Sequence, residues 1–514
     1  MKIAVVADVH LHDLYGGYGW IEEGSGDIAL RTFEDTMAST RVFNESHAAF
    51  LAVLEDIVRR GIRDVVLLGD YCDDGQFDAV AALVRILSSY EARHGLRFFT
   101  TFGNHDCYGP APRHQAKRLT RANGRDAVLV TSDETASAPA VFQAGMLGMS
   151  TADAMQAMAH YGIARPERVF HWETPFCGSA HAQHRRPADS GTFGLDASYL
   201  VEPQQGLWLL MLDANVFHQV DGVWQVRSNA AWDHVLTMRP YLLEWIADVA
   251  ERARRLDKTL LAFSHYPALP LAMTGRGDQL RSACTPDWQK RMPALESGRR
   301  LAEAGLRWHF SGHMHVSGRT ELDGLINIAV PSPVAYPGGY VAVITENGLV
   351  NVETVSLVEA TGFDIGFAAY ENQMSGAGPA DRHHVPGCRT YSEFLNTHLR
   401  QLIARRHAPL DWPPDLLDDL DWPIEDVLRG DTALSAVVGN WRYVVSKPFR
   451  LMMEDYYFLR AGGRAALDDI PPDHIGFYRD LQQALSLPEP ANEHFVGSAF
   501  LVLFLACLDL PEAS

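Results

Sequence analysis

The sequence predicts an α/β fold, a sheet covered by helices, followed by a mostly helical C-terminal region. Three observations carry this. In the first 356 residues, short apolar runs of strand length end abruptly in polar residues or glycine. Amphipathic stretches of helical length lie between several of them, and strands alternating with such helices give a sheet with helices on its faces. After about Leu357 the pattern changes to apolar helical stretches punctuated by Trp412-Pro413-Pro414, Trp422-Pro423 and Ile470-Pro471-Pro472.

In chain order, residues 3–7 run into Asp8, and residues 64–68 run into Gly69-Asp70. Between them, residues 47–60 place Phe50, Leu51, Leu54, Ile57 and Val58 on one helical face. Residues 79–90 predict a second helix, and residues 98–102 run into Gly103-Asn104-His105-Asp106. Residues 207–212 end at Asp213, residues 241–256 read as a helix, residues 260–263 end at Ser264-His265, and residues 308–310 end at Ser311-Gly312-His313. Residues 325–330 and 340–355 supply the last strands. Two long segments interrupt the rhythm: residues 11–45, with Gly16-Gly17-Tyr18-Gly19-Trp20, and residues 107–205. The second holds two basic patches, residues 113–118 and 181–186, read as solvated surface. Segments this long are functional or fold as small subdomains. The expected organisation is a catalytic domain at 1–356 with an insertion at about 107–205, a linker at 357–390, and a helical accessory domain at 391–514.

Composition narrows the function classes. The chain has 514 residues with 64 acids against 44 lysines and arginines, a formal net charge of −20. Such a surface repels nucleic-acid phosphate and anionic lipid, so nucleic acid is a disfavoured partner. Six cysteines without a CxxC pair indicate neither a disulfide framework nor a thiolate zinc site, and a reducing, cytoplasmic compartment is expected. The apolar start is too short for a signal-peptide core. The apolar stretch 495–508 is too short to span a bilayer and reads as a buried helix.

Five patterns carry the chemistry: Asp8-Val9-His10; Gly69-Asp70-Tyr71-Cys72-Asp73; Gly103-Asn104-His105-Asp106; Ser264-His265-Tyr266-Pro267; and Gly312-His313-Met314-His315. Each follows an apolar run, and open α/β sheets do their chemistry at the carboxyl ends of strands. Carboxylates and imidazoles without thiolate suit divalent metals such as Mn, Fe, Zn, Ni or Co.

In this order the patterns resemble the calcineurin-like metallophosphoesterases, with DxH, GDxxD, GNHD, a lone His and GHxH. The resemblance covers roughly residues 1–356. It implies a four-layer αββα sandwich and two transition-metal ions, divalent or mixed-valence. One ion would take Asp8, His10, Asp70 and His315; the other would take Asp70, Asn104, His265 and His313, with Asp70 bridging. Two ions about 3.5–4 Å apart acidify a shared water and clamp a phosphate ester for in-line attack. The resemblance therefore implies a metal-bridging hydroxide as nucleophile and needs no Ser or Cys. It gives His105 the role of transition-state stabilisation or leaving-group protonation, sets Asp106 beside it to orient the imidazole, and leaves Asp73 as hydrogen-bonding support. Leu212-Asp213-Ala214-Asn215 resembles a family segment that packs near the site without ligating. The implied activity is hydrolysis of small phosphate esters, diesters ahead of monoesters. A phosphomonoesterase, a nuclease and a catalytically silent scaffold stand as alternatives, the last opposed by the presence of every ligand position and His105. The C-terminal region is left open as a cover for the site, an oligomer contact or a partner-binding element.

Overall fold

Two mixed β-sheets face each other at the centre of the structure, a computed structural model that describes the chain outside residues 17, 19–26, 126, 138, 177–183, 187–193, 228–230, 272–289, 375–386, 429–436, 486–497 and 509–514. The first sheet runs, edge to edge, Leu349–Ser356, Gly339–Glu346, Lys2–Val6, Asp64–Leu68 and Arg97–Thr101. Lys2–Val6, Asp64–Leu68 and Arg97–Thr101 are parallel neighbours. The first two read as near-continuous apolar runs because both faces of a parallel sheet are covered, and Arg97–Thr101 buries Phe98, Phe99, Thr100 and Thr101. Gly339–Glu346 pairs antiparallel with Lys2–Val6 and with Leu349–Ser356. Asn347 and Gly348 join these two last strands with φ of 51° and 79°, the left-handed pair that an Asn-Gly hairpin turn requires.

The second sheet runs Gly318–Leu322, Leu325–Ala329, Trp308–Ser311, Thr259–Phe263, Leu207–Met211, Tyr199–Gln204 and His171–Glu173. The period-two alternation of its strands sorts side chains between two cores. Leu209, Met211, Leu261, Phe263, Phe310 and Ile328 point to the core shared with the first sheet. Leu210, Leu212 and Ala262 point to a second core with Trp232, Leu242, Ile246 and Val249. Helices Ser46–Arg59 and Phe77–His94 pack against the first sheet, and Ala231–Met238, Pro240–Arg255 and Leu295–Glu303 cover the second. The result is the αββα sandwich.

The insertion begins outside this sandwich and ends within it. Ala116–Thr120, Val128–Thr131 and Ala140–Phe142 form a small sheet with Leu30–Arg31, whereas His171–Glu173 and Tyr199–Gln204 extend the second central sheet. Each basic patch turns one side chain inward, while His114, Arg118, His184 and Arg186 are exposed as expected. Lys117 is buried, because Ala116–Thr120 alternates and turns it inward beside Leu119. Arg185 is wholly buried and donates to the carbonyls of Ile163 and Ser198 at 2.6 Å each. Residues 181–183 of the second patch, like Gly17 and Gly19 of the Gly-rich stretch, lie outside the described residues.

The C-terminal helices join the main core. Phe394 and Leu395 of Tyr391–Leu402, Tyr457 of Phe449–Gly462 and Phe477 of Pro472–Ala484 belong to the cluster that holds Val334 and Tyr336. Polar contacts stitch the same seam. The Tyr391 hydroxyl donates to Pro333 O at 2.8 Å, Ser317 N to Ala461 O at 2.7 Å, and the Tyr336 hydroxyl to Asp469 at 2.7 Å. In helix Ser498–Cys507, Phe500 and Phe504 are buried against Tyr456. No described helix is long and apolar enough to cross a membrane. Cys72 and Cys107 are buried, free thiols.

One buried acid gives this fold a pH signature. Glu45, just before helix Ser46–Arg59, is wholly buried. It accepts a 2.9 Å hydrogen bond from the Tyr370 hydroxyl, and its other oxygen has no partner among the described residues. Burial, only partly offset by these bonds, pushes its carboxyl from 4.5 up to about 7. The folded chain therefore holds a proton that the unfolded chain releases. The associated stability is fully present below pH ~4.5 and is lost as the pH rises to about 7, on the order of 3 kcal/mol at 1.4 kcal/mol per pH unit. Thermal unfolding of wild type and Glu45→Gln, followed from about pH 5 to about pH 8, should show the wild type falling progressively behind the variant. A pH-independent gap would show that Glu45 is ionised throughout.

Candidate metal centre

The carboxyl ends of the parallel strands converge where the two sheets meet, and the five sequence patterns meet there with them. Their loops turn sharply. Asp8, His10, Asp70, His313 and His315 all have left-handed backbone, with φ of 53°, 43°, 50°, 70° and 51°. Each such residue costs on the order of 1 kcal/mol, a strain that surrounding structure must hold in place and that gathers at functional sites. Close approach also dictates the glycines. A Cβ on Gly69 would lie 2.6 Å from the Gly103 nitrogen, and one on Gly103 would overlap the Asp70 carboxylate.

The donor atoms form two groups. In one, the ligand atoms of Asp8, His10 and His315 lie within 4.8 Å of one another. His315 Nε2 stands 3.4 Å from Asp8 Oδ1 and 3.2 Å from His10 Nε2. In the other, Asp8, Asp70 and His265 meet the same limit. His265 Nε2 is 3.3 Å from Asp70 Oδ2 and 3.2 Å from the amide oxygen of Asn104. Asp70 Oδ2 is also 3.7 Å from His10 Nε2, which sets this carboxylate between the groups. His313 stands beside the second group, its ring centroid 5.2 Å from that of His265. Its backbone N–H donates to both oxygens of Asp8, at 3.1 and 3.0 Å. The structure thus brings together all seven expected ligand residues, with Asn104 and His313 at the margin of the tighter groups.

This donor set fits divalent cations. Burial, with Arg41 and the other imidazoles, holds His10 well below its ordinary range, and burial does the same to His313. Both rings are therefore neutral, the form that binds metal. Burial opposes charge on His265 too, but Asp70 and Asp8 outweigh it and push the ring up to about 9. Burial likewise opposes the Asp70 charge, and His265 and His105 override it to hold the carboxyl below its usual range. Two buried carboxylates here draw a positive charge onto a neighbouring imidazole; a cation meets the same demand.

Around this centre the structure changes one assignment. Asp106 does not orient the His105 imidazole. It is wholly buried and accepts from the backbone N–H groups of Asp70 at 2.6 Å, Gly103 at 2.7 Å and Tyr71 at 3.1 Å. Successive side chains in a tight turn diverge, so its carboxylate goes under the loop while the imidazole goes outward. The partner of His105 is Asp74, whose Oδ1 lies 2.6 Å from Nδ1. The paired acids Asp73-Asp74 before Gly75 were the available signal, and the GDxxD spacing pointed to the first of them. Asp73 is buried and accepts from Arg31 at 3.0 Å, Arg41 at 2.9 Å and Lys117 at 2.6 Å. Lys117 also reaches Asp74 at 3.3 Å. Asn215 donates to the carbonyls of Phe102 and Gly103 at 3.3 and 3.2 Å and accepts from the Tyr266 hydroxyl at 2.9 Å. Asp213 bonds its own turn and the Ala197 N–H.

Residues 1–141 match the family model described as calcineurin-like phosphoesterase. The chain carries a calcineurin-like phosphoesterase domain. It is a metal-dependent phosphoesterase, and the family implies a dinuclear divalent centre. The family match ends before His265 and the Gly312-His313-Met314-His315 pattern; the fold places both beside Asp8 and Asp70. Similar solved structures include a dimetal phosphatase from Danio rerio, 14% identical, covering 69% of this chain and 96% of that one, with a TM-score of 0.37. A phosphopantetheinyl hydrolase from Mycobacterium tuberculosis is 11% identical over 65% and 90% of the two chains, with a TM-score of 0.26. A 5'-nucleotidase precursor from Thermus thermophilus is 13% identical over 74% and 59%, with a TM-score of 0.29. A search of curated proteins finds no match.

Asp74→Asn keeps an acceptor beside His105 and removes its charge. Turnover of an aryl phosphate ester should fall roughly ten- to hundredfold, with metal content by elemental analysis equal to wild type. Wild-type turnover in this variant would detach Asp74 from the reaction.

Proposed function

We propose that the chain hydrolyses phosphodiesters ahead of phosphomonoesters, at a site where Asp8, His10, Asp70 and His315 hold one cation and Asp70, Asn104, His265 and His313 hold another. The observation that supports this reading is the pair of donor groups, Asp8–His10–His315 and Asp8–Asp70–His265, with the Asp70 carboxylate of the second also 3.7 Å from His10 of the first. The five patterns are common to diester and monoester hydrolases, and the preference for diesters is drawn from the family resemblance alone. Free, buried thiols at Cys72 and Cys107 support a reducing, cytoplasmic setting.

Bound divalent ions would supply Lewis-acid charge to the phosphoryl oxygens and acidify water. The chain's own residues do the rest. His105 is the one imidazole of the five patterns placed to move a proton rather than bind metal: Asp74 takes Nδ1 and leaves Nε2 for the substrate. In that pose it protonates the departing oxygen or donates to the phosphoryl group. Ser332 donates to the Asp8 carbonyl at 2.7 Å and fixes the first loop. Asp106 fixes the second and third loops, so the donor atoms are set before substrate arrives.

Apoprotein reloaded separately with Mn, Zn, Ni or Fe should turn over an aryl phosphodiester faster than its matched monoester, with two ions bound per chain. Faster monoester turnover would make the enzyme a phosphatase, and failure to bind metal would end the reading. Asp70→Asn should lose both ions and all turnover. His105→Ala should lose about 10²- to 10⁴-fold in turnover and keep both ions; loss of metal in that variant would make His105 a ligand.

A further inference from the structure

Residues 31–46 belong to none of the five patterns, yet they carry a cation to the edge of the metal centre. The segment is held at many points. Asn44 closes it on itself, accepting from the Arg31 N–H at 2.8 Å and donating to the Arg31 carbonyl at 3.0 Å. Thr32 caps the short helix Phe33–Ala38. The Val42 N–H donates to the Val334 carbonyl at 2.9 Å. The C-terminal helices add further bonds: His398 Nε2 donates to the Thr36 carbonyl at 2.9 Å, Arg406 to the Ala38 carbonyl at 3.1 Å, and Gln373 accepts from the Phe33 N–H at 2.8 Å. Between these anchors the Thr40 carbonyl accepts from Nδ1 of His315 at 3.4 Å. The residue that follows is Arg41.

The Arg41 side chain is only 12% exposed. Its Nη2 donates to Asp73 at 2.9 Å and lies 3.9 Å from Asp74 Oδ1, the same oxygen that stands 2.6 Å from His105 Nδ1. His105 is set edge-on to His10, with ring centroids 5.1 Å apart. Guanidinium and imidazole thus flank one carboxylate on one side of the centre. The electrostatics agree: after burial, Arg41 is the first charge that acts on His10, and Asp70 is among the charges that act on Arg41. The donors of Arg41 are not all spent. Nε is buried without a partner among the described residues, as it is in Arg31, and no described residue takes Nη1. Arg31 differs in its remaining contacts. It joins the same clamp, with Nη1 on Asp73 at 3.0 Å, but its Nη2 goes to Asp35 at 3.8 Å and its guanidinium lies 4.1 Å over the Phe43 ring.

We infer that Arg41 is a catalytic residue whose Nη1 donates to a phosphoryl oxygen of the bound ester, on the side of the centre where His105 stands. The inference rests on the phosphoesterase reading. Charge develops on the phosphoryl oxygens during transfer, and a guanidinium fixed before substrate arrives stabilises it without reorganising. Guanidinium also matches phosphate geometry better than an ammonium does. The Asp73 bond fixes the plane of the group and leaves Nη1 for the ligand. Residues 31–46, which interrupt the strand–helix rhythm, thereby gain a function: they deliver a charge that none of the five patterns supplies.

The test measures binding of inorganic phosphate by calorimetry and turnover of an aryl phosphate ester, both on the manganese-loaded full chain. Arg41→Gln leaves Asp73 its bonds to Arg31 and Lys117, so the turn keeps two of its three cations. This variant should bind phosphate about tenfold more weakly, the scale of one charge-assisted hydrogen bond. Its kcat should fall roughly 10²-fold, with two ions still bound by elemental analysis. Arg41→Lys, which keeps the charge and loses the fork, should fall between the two. Arg31→Gln loosens the same clamp without touching the ligand, and its phosphate affinity should stay within about twofold of wild type. Wild-type phosphate affinity in Arg41→Gln would overturn the inference. So would an equal loss in Arg31→Gln, which would reduce Arg41 to a part of the clamp, and so would a wild type that binds no phosphate. Calorimetry needs no turnover, so the two readings fail separately. Arg41-dependent phosphate binding by a chain that hydrolyses no ester would retire the phosphoesterase reading and leave Arg41 an anion ligand. Ester hydrolysis with phosphate binding indifferent to Arg41 would do the reverse.

Discussion

The Asp106 carboxylate is the knot on which the metal centre depends. Its two oxygens accept three backbone N–H groups from two loops, those of Asp70 and Tyr71 on one side and Gly103 on the other. Without it, those donors would be buried and unsatisfied at about 1–3 kcal/mol each, and the Gly69 and Gly103 backbones would have no reason to meet so closely. The Asp70 carboxylate in turn accepts from the His105 N–H at 2.8 Å. One anion therefore sets the separation of the loops that carry Asp70, Asn104 and His105.

Charge is managed around this knot rather than avoided. Arg31, Arg41 and Lys117 converge on the buried Asp73, and Arg41 and Lys117 also reach the half-buried Asp74. A buried ion cluster adds little net stability, but removing one member leaves a desolvated charge and is costly. Its value here is position: it clamps the turn that presents Asp74 to His105. The left-handed residues of the site are held by the same means, with Ser332 on Asp8 and Asp8 on the His313 N–H.

Much of this was legible in the sequence, and the misses have physical reasons. The strands were readable because parallel strands buried on both faces cannot hide their apolar runs, and their ends were readable because each run stops at a polar residue or glycine. The Asn347-Gly348 hairpin was also on the page, yet residues 340–355 were not divided there. The Asp74 role was not legible from spacing, because a left-handed φ of 69° at that residue decides which of two adjacent acids faces the imidazole. Lys117 was misread because a basic run looks solvated by composition, while the period-two pattern through Leu119 would have turned it inward. Arg185 has no such local signal. The junction of the C-terminal helices with the sandwich rests on contacts hundreds of residues apart, such as His398 to the Thr36 carbonyl at 2.9 Å, and no local periodicity encodes a pairing of that range.

The distances along the chain have a consequence for how the protein is born. The residues that could hold a cation run from Asp8 to His315, and a cavity beside His315 is lined as far along the chain as Ala461. A ribosome releasing about 5–20 residues per second delivers the first acidic ligands well before the histidines that share their ion, and the helical wall later still. The nascent chain therefore exposes a half-assembled cluster of carboxylates for many seconds. The donor groups that the fold brings together are therefore complete only once His315, roughly three fifths of the way along the chain, has emerged.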